Sequence, residues 1–309
     1  MSVPRPSFWR VLSDTWRILS SNPLHFAALS LLFIFPISLF NVIHTLILPP
    51  SPSPLSHYRR LLSTEIPSLD KSQILYLVAL LIFNLCSVAS VTHSIFHGFN
   101  GKPIKLAASL KSILSSFLPL LATKIVYLII FAAITFGYGI CIGFVFLGLF
   151  FLGFDVEPSS KSSMAVVIVT MIPFLALFFY LGIKWYLAWS IVVVESKYGF
   201  APFKRSSNLV KGAKLVALLM ILVLAILQMI LSGWFSALGG GRGCSGGVVV
   251  QLVAYAVLSS VVALFGLAAD TVLLVHCKEF NNENGELEFV SDEKKLGQVY
   301  VPLPVDEVV

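Results

Sequence analysis

Three ionisable residues interrupt long apolar stretches of this chain: Lys124, Lys184 and Asp270. A charge at the centre of a membrane helix costs about 2.5–3.5 kcal/mol, so such a residue usually faces a partner or a functional cavity. The three lie at similar depths in their stretches, which predicts that Asp270 pairs with one of the two lysines, and we favour Lys184. The alternative is that a lysine extends to the membrane interface, which we favour for Lys124.

Two histidines, His93 and His97, are spaced by four residues, which places them on one face of a helix. His276 and Cys277 end another apolar stretch at a similar height, and imidazole together with thiolate can bind zinc. The interpretation we favour is that these histidines lie near helix C-termini, where the helix dipole and water stabilise them. The sequence therefore predicts no catalytic residue, no cofactor and no metal site.

A glycine-rich run from Gly241 to Gly246 matches the spacing G-x-G-x-x-G. The dinucleotide-binding motif needs a preceding strand within a βαβ unit, whereas this run follows an apolar stretch of helical length. We therefore interpret it as a turn between two membrane helices, and we expect neither a nucleotide cofactor nor a nucleic-acid partner.

The polar segment 195–214 carries a cluster of basic residues. Pro202 predicts the start of a short helix and Gly212 its end. A basic residue near an anionic leaflet contributes about 1 kcal/mol to membrane attraction. We expect contacts with anionic lipid headgroups, and the alternative is ordinary anchoring of a cytosolic loop by positive charge. The candidate headgroup contacts are Lys204, Arg205, Lys211 and Lys214.

The run WYLAWSIVVVESKYGFAPFKRSSNLVKG resembles the signature of a broad membrane-domain family. That family includes the membrane-embedded part of some bacterial glycerophosphoryl diester phosphodiesterases. The whole chain is also similar to a family of plant six-span membrane proteins, some of which are named as binders of a polyadenylate-binding protein. The resemblance implies a membrane module without the hydrolase activity, because no polar stretch is long enough for the soluble catalytic domain. Its signature residues are Trp189, Glu195, Gly199, Arg205, Ser206, Lys211 and Gly212.

The elements that position these residues are long apolar stretches. The chain has 309 residues, of which 57% are hydrophobic and 12% are charged, while soluble domains carry about 25% charged residues. A membrane-spanning helix needs about 20 mostly apolar residues. The sequence therefore predicts an all-α, polytopic membrane helix bundle with six transmembrane helices, at roughly 26–48, 74–96, 117–152, 164–194, 215–238 and 248–276.

Two of these stretches are longer than a bilayer requires. As one straight helix, 117–152 would measure about 54 Å at about 1.5 Å per residue. We expect a kink, a tilt or an extension into the interface. The stretch 164–194 contains Pro173, which predicts a kink within it.

The distribution of Lys and Arg predicts the orientation of the bundle. With six spans, one side carries fourteen of these residues and the other carries five. Cytosolic loops carry the excess of positive charge, so both termini are predicted to be cytosolic. The sequence does not indicate which organelle or cell membrane holds the protein.

The two ends of the chain differ from the spans. Residues 1–25 form a predicted cytosolic N-terminus, in which residues 8–19 are amphipathic with Phe8, Leu12, Trp16 and Leu19 on one face. This helix either lies in the membrane interface or packs as a lid on the bundle. Residues 26–276 form the six-span domain. Residues 277–309 are acidic and are predicted to be disordered and cytosolic, with recruitment of a protein partner as the alternative to a simple solvated tail.

These features favour a multi-pass, non-enzymatic protein that acts in membrane organisation, trafficking or partner recruitment, with lipids as its predicted partners. The alternative is a transporter or channel for a small solute or lipid, which would need a polar path or broken helices at the midplane. A lipid-modifying enzyme is a third hypothesis, and it would need converging acid, base or metal groups.

Overall fold

The computed structural model describes residues 6–47, 71–101, 106–153, 161–238 and 246–281. Within these residues the chain is helical and contains no strand. The helices are α1 (Phe8–Ser21), α2 (Pro23–Leu29), a π-helical turn (Ser30–Ile34), α3 (Phe35–Ile47), α4 (Lys71–Phe99), α5 (Leu106–Phe151), α6 (Lys161–Trp185), α7 (Ala188–Glu195), α8 (Ala201–Leu209), a 3₁₀ turn (Val210–Gly212), α9 (Lys214–Leu238) and α10 (Gly246–Phe280).

Six helical segments of the described chain are long and apolar enough to cross a bilayer, which confirms the predicted all-α membrane fold. The first begins at Pro23, directly after Asn22, where proline occupies the first turn as expected. The segments are Pro23–Ile43, Gln73–Phe99, Leu106–Phe151, Val166–Glu195, Lys214–Ser236 and Val250–Phe280.

The third span is one continuous helix of 46 residues, α5, which is about 69 Å long at about 1.5 Å per residue. Its additional N-terminal turns carry the buried residues Ser109, Ser112 and Ser116. The Ser109 hydroxyl lies 2.7 Å from the hydroxyl of Ser94 in α4. The turns before residue 117 therefore pack against the neighbouring span, and the kink, tilt or interfacial extension expected of 117–152 stays a prediction.

The fourth span is interrupted at a place the sequence did not indicate. Helix α6 continues through Pro173, and the break follows Trp185, at Tyr186–Leu187. Ser206 holds this break: its hydroxyl donates to the Lys184 carbonyl at 2.8 Å and accepts from the Leu187 N–H at 3.2 Å. The side chain thereby satisfies backbone groups that the end of a helix leaves without partners.

The tightly packed core lies at one end of the bundle, which we call the polar end. It comprises α1, α2, the π-helical turn, α7, α8, the first turns of α5 and α9, and the last turns of α4 and α10. Toward the opposite end, large apolar side chains are exposed on the outer surface, as lipid-facing residues are expected to be. Examples are Phe136, Phe144, Phe150, Ile168, Ile172 and Met229.

Helix α1 packs against the polar end through a face that overlaps the predicted one, because Phe8 and Leu19 pack against the core while Trp16 is turned outward. Its buried residues are Val11, Thr15 and Ile18, whereas Trp9 and Trp16 are 75% and 69% exposed. The helix thus covers the bundle with one side and presents two tryptophans, seven residues apart, on the other. Its location in the membrane interface remains a prediction, which the outward tryptophans favour.

Candidate functional site

Glu195, the last residue of α7, is the centre of an ion-pair network at the polar end. Its carboxylate lies 2.6 Å from the Lys278 ammonium, 2.8 Å from that of Lys197 and 3.6 Å from Arg205 Nε. The Glu195 and Lys278 side chains are only 10% and 4% exposed. Because Lys278 belongs to the last span and Arg205 to α8, this network joins the end of the chain's sixth span to the 195–214 segment.

A second cluster of polar side chains connects α1 to α10, the sixth span. His276 Nε2 lies 3.1 Å from the Asp14 carboxylate, and its Nδ1 lies 3.5 Å from that of Glu279. Arg17 approaches the other Asp14 oxygen at 3.3 Å from within α1. His276 is buried, so its interactions hold the N-terminal helix and the final helix in a fixed relation.

Several signature residues have local structural roles. Gly199 adopts φ +73°, a conformation that residues with a side chain rarely adopt, and its N–H donates to the Thr123 hydroxyl at 3.2 Å. A Cβ at Gly212 would come within 3.0 Å of the Phe280 ring. Trp189 packs against Tyr127 with ring centroids 5.6 Å apart. Together these contacts fix the 195–214 segment against α5 and α10.

The four predicted headgroup contacts divide into two groups. Lys204, Lys211 and Lys214 are exposed at the polar end. Arg205 is half-buried and turned toward Glu195. Arg205 therefore belongs to the internal network, and headgroup contact by the three exposed lysines stays a prediction.

Charges at the polar end are sorted by sign. The structure describes four acidic residues, Asp14, Glu195, Asp270 and Glu279, and none of them is exposed. Seven basic residues of this end are exposed, so the described surface carries more positive than negative charge. These basic residues are Arg10, Arg17, Lys111, Lys197, Lys204, Lys211 and Lys214.

The structure does not form the predicted Lys184–Asp270 ion pair. The Lys184 ammonium lies over the Tyr180 ring, 4.3 Å from its centroid. The residue that interacts with the Asp270 carboxyl is Tyr186. The physical reason is local: Lys184 follows Tyr180 by four residues and so shares its helix face, whereas Tyr186 lies in the break after α6, where its side chain meets Asp270.

Lys124 lies beside aromatic rings, without an ion pair to any residue that the structure describes. Its ammonium is 4.8 Å from the Trp189 ring centroid and 5.7 Å from that of Tyr127. Such a cation–π contact contributes about 0.5–2 kcal/mol, depending on how far water is excluded. The predicted extension of Lys124 to the interface is a statement about lipid depth and stays a prediction.

Asp270 lines a cavity of about 340 Å³ within the spans. Tyr186 is the described residue that interacts with the Asp270 carboxyl, but Asp270 Oδ1 and the Tyr186 hydroxyl do not meet hydrogen-bond geometry with any described residue. Neither Lys184 nor any residue of 195–214 lines the cavity, so it does not connect these groups into a polar path. Its lining is mainly aromatic: Tyr127, Phe131, Phe178, Trp185, Tyr186 and Trp189, with Ile134, Leu181, Gly182, Ile221 and Asp270.

The histidines considered as metal ligands belong to different surroundings. The rings of His93 and His97 lie 4.2 Å apart, while His276 contacts Asp14 and Glu279. Within the described ranges, no group of three or more His, Cys, Asp or Glu residues is arranged to hold a metal ion. Residues 241–245, 282–309 and the loop 48–70 lie outside the described residues.

Comparison with known families gives one match, which covers residues 6–309. The chain belongs to the family described as Domain of unknown function (DUF8558). The match extends over nearly the whole chain, so the six spans and the polar end are parts of one DUF8558 unit. No curated protein and no solved structure matches this DUF8558 chain.

Proposed function

We propose that this protein is a non-enzymatic, multi-pass membrane protein that organises membrane by binding anionic lipids at its polar end. The observation that carries the proposal is the sorting of charge. Acidic side chains of the described chain are turned inward, and seven basic ones are turned outward at the same end. A surface of one sign favours a partner of the opposite sign.

The size of the attraction can be estimated from the exposed charges. Each Lys or Arg near an anionic leaflet contributes about 1 kcal/mol. Lys204, Lys211 and Lys214 together would therefore supply about 3 kcal/mol, or more than a hundredfold in lipid occupancy. The exposed Trp9 and Trp16 of α1 are suited to the headgroup level, where tryptophan is enriched.

The internal ion pairs support the same proposal. Glu195 pairs with Lys278 and Lys197, and Asp14 pairs with Arg17. None of the ion pairs that the structure describes involves Lys204, Lys211 or Lys214, so these three lysines are available to an external anion. Among the described residues, a lipid phosphate can therefore reach these three lysines without displacing a carboxylate from them.

The test is the number of anionic lipids retained by the purified protein. The protein would be reconstituted in nanodiscs of equal phosphatidylcholine and phosphatidylserine, gently released, and examined by native mass spectrometry. The wild type should retain phosphatidylserine preferentially, and K204Q/K211Q/K214Q should lose most of that preference. A matched control, R59Q/R60Q/K71Q, removes three charges from the predicted opposite side and should leave the preference unchanged. Equal effects of both triple variants would refute the proposal.

Other features of the protein remain proposals that rest on its sequence. The cytosolic placement of both termini follows from the Lys and Arg distribution, and recruitment of a protein partner by the acidic tail would add a trafficking role. We also propose that the likeness to the phosphodiesterase membrane domain and to the plant six-span proteins reflects a common module. The contacts of Glu195, Gly199, Ser206 and Gly212 support this, because each is the kind of structural contact that a shared module would preserve.

Transport of a small solute or lipid is the second candidate function, and the cavity beside Asp270 is the observation that favours it. A flux assay in proteoliposomes tests it directly. Substrate movement that depends on Asp270 would support transport, whereas lipid retention without movement would support the membrane-organising role.

A further inference from the structure

The cavity beside Asp270 has the chemistry of a binding site for an organic ammonium group. From its geometry we propose that it binds the ammonium of an amine-bearing amphiphile, with the cation among the aromatic rings and near the Asp270 carboxyl. This proposal does not depend on the one for anionic lipids, since none of the seven exposed basic residues lines the cavity.

The first argument is the composition of the wall. Six of its eleven residues are aromatic, and they come from α5, α6, the break after α6 and α7. Aromatic faces carry partial negative charge, and a group of them is the usual means by which proteins hold a quaternary ammonium. The volume of about 340 Å³ lies within the range of about 300–1,000 Å³ found for small-molecule sites.

The second argument is the carboxyl group itself. Asp270 is the one acidic residue of the wall, and its Oδ1 is buried without a hydrogen-bond partner among the described residues. The neighbouring Tyr186 hydroxyl is buried and interacts with this carboxyl, but the two groups do not meet hydrogen-bond geometry. A carboxyl within a membrane span is costly and is normally matched by a cation or a proton donor, and an ammonium group supplies both.

The two nearby lysines do not occupy the cavity. Lys184 is turned outward over Tyr180, and Lys124 lies over Trp189 and Tyr127. Neither residue lines the cavity. The contact of Lys124 also shows that two rings of the wall already hold a cation, on faces that Lys124 occupies.

The route of entry is from the apolar surface. Phe131 and Gly182 belong to the wall and are exposed on the outer surface of their spans. An ideal Cβ built at Gly182 meets nothing within 4 Å, so glycine leaves open space beside α6. An amphiphile can therefore place its ammonium in the cavity while its chain remains among lipid tails.

The experiment measures binding by tryptophan fluorescence, because Trp185 and Trp189 form part of the wall. Full-length protein in maltoside micelles, which carry no ammonium, is titrated with hexyltrimethylammonium and with a neutral analogue bearing a tert-butyl group in place of the cation. The charged probe should bind at least about tenfold more tightly than its neutral isostere, since charge rather than shape is recognised. Equal affinities would overturn the proposal.

Two variants locate the binding, and one serves as a matched control. D270N keeps the side-chain volume and should weaken binding of the charged probe about tenfold or more, whereas E279Q, which removes a carboxylate outside the wall, should not. If D270N does not fold, G182F replaces it, because the added ring would fill the entrance without changing any charge. Unchanged affinity in the folded variant would overturn the proposal.

A second titration distinguishes the natural sources of the ammonium. A lyso-phosphatidylethanolamine that binds in competition with hexyltrimethylammonium would identify a membrane lipid as the ligand class. Binding of the soluble probe that the lysolipid does not displace would identify a free organic cation. Absence of binding by both probes would overturn the proposal.

Discussion

Replacing Lys278 by methionine should destabilise this protein strongly, although the residue lies at the very end of the last span. The Lys278 ammonium is 2.6 Å from the Glu195 carboxylate, and both side chains are almost fully enclosed. Methionine preserves much of the side-chain volume but leaves the carboxylate without its closest cation. Removing one partner of a buried ion pair costs about 3–5 kcal/mol, because the remaining charge is left without compensation.

The expected loss lies near the lower end of that range. Lys197 at 2.8 Å and Arg205 at 3.6 Å still face Glu195 in the variant, so part of the neutralisation remains. We therefore expect the free energy of unfolding to fall by about 3 kcal/mol. The control is K197M, which removes a lysine that is 45% exposed and should cost less than about 1 kcal/mol.

The assay is unfolding of the purified protein in mixed micelles with increasing sodium dodecyl sulfate, followed by circular dichroism. The double variant E195Q/K278M should lose less stability than the sum of the single variants, because the two residues interact directly. Equal losses in K278M and K197M, or strict additivity in the double variant, would refute the inference that this pair is the stabilising centre of the polar end.

Three further predictions concern the contacts that hold the same end together. G199A should lower the free energy of unfolding by about 1–2 kcal/mol, because alanine disfavours the positive φ that Gly199 adopts. The same denaturation assay measures this loss, and an unchanged stability would contradict the positive φ at this residue. S206A should lower the free energy of unfolding by about 1–3 kcal/mol, because it leaves the Leu187 N–H unsatisfied. The control S207A, one residue further on, should leave the stability nearly unchanged. The two variants are compared by thermal unfolding, and equal midpoints would exclude the proposed role of Ser206. D14N should weaken the attachment of α1 to His276 and so increase hydrogen exchange within residues 8–21. The control R17Q, which alters an exposed partner of Asp14, should change hydrogen exchange less. Unchanged protection in D14N would show that apolar packing alone holds the helix.

The six spans were predictable because one physical requirement governs them. A bilayer admits only segments whose backbone polar groups are satisfied internally, and about 20 apolar residues are needed to cross it. The start of the first span at Pro23 and the short helix beginning near Pro202 also followed from local rules. These features depend on residues close together in the chain.

The break in the fourth span was not predictable in the same way. Pro173 predicted a kink within the span, and helix α6 continues through that residue. The actual break, at Tyr186–Leu187, contains neither proline nor glycine and is held by Ser206, nineteen residues beyond Leu187. Since that support is tertiary, no local pattern in the fourth span revealed it.

The candidate site was predicted in part for the same reason. Glu195 and Arg205 were identified from the signature, but Lys278 appeared in the sequence as one more positive charge after a span. Its role becomes visible only when the ends of α7 and α10 meet. The Lys184–Asp270 pairing failed because similar depth does not fix rotation about the helix axis, and Tyr186 occupies the position facing Asp270.

The most direct test of the central claim is which side of the membrane carries the polar end, since anionic lipids are concentrated in the cytoplasmic leaflet. Asn208 is exposed at the polar end and Gln73 is exposed near the opposite end, so each can be replaced by cysteine in a background without native cysteines. In sealed vesicles with the cytosolic side outward, a membrane-impermeant maleimide should label N208C without detergent and Q73C only after detergent is added. Labelling with the opposite dependence would contradict the proposal that the basic surface faces anionic lipid.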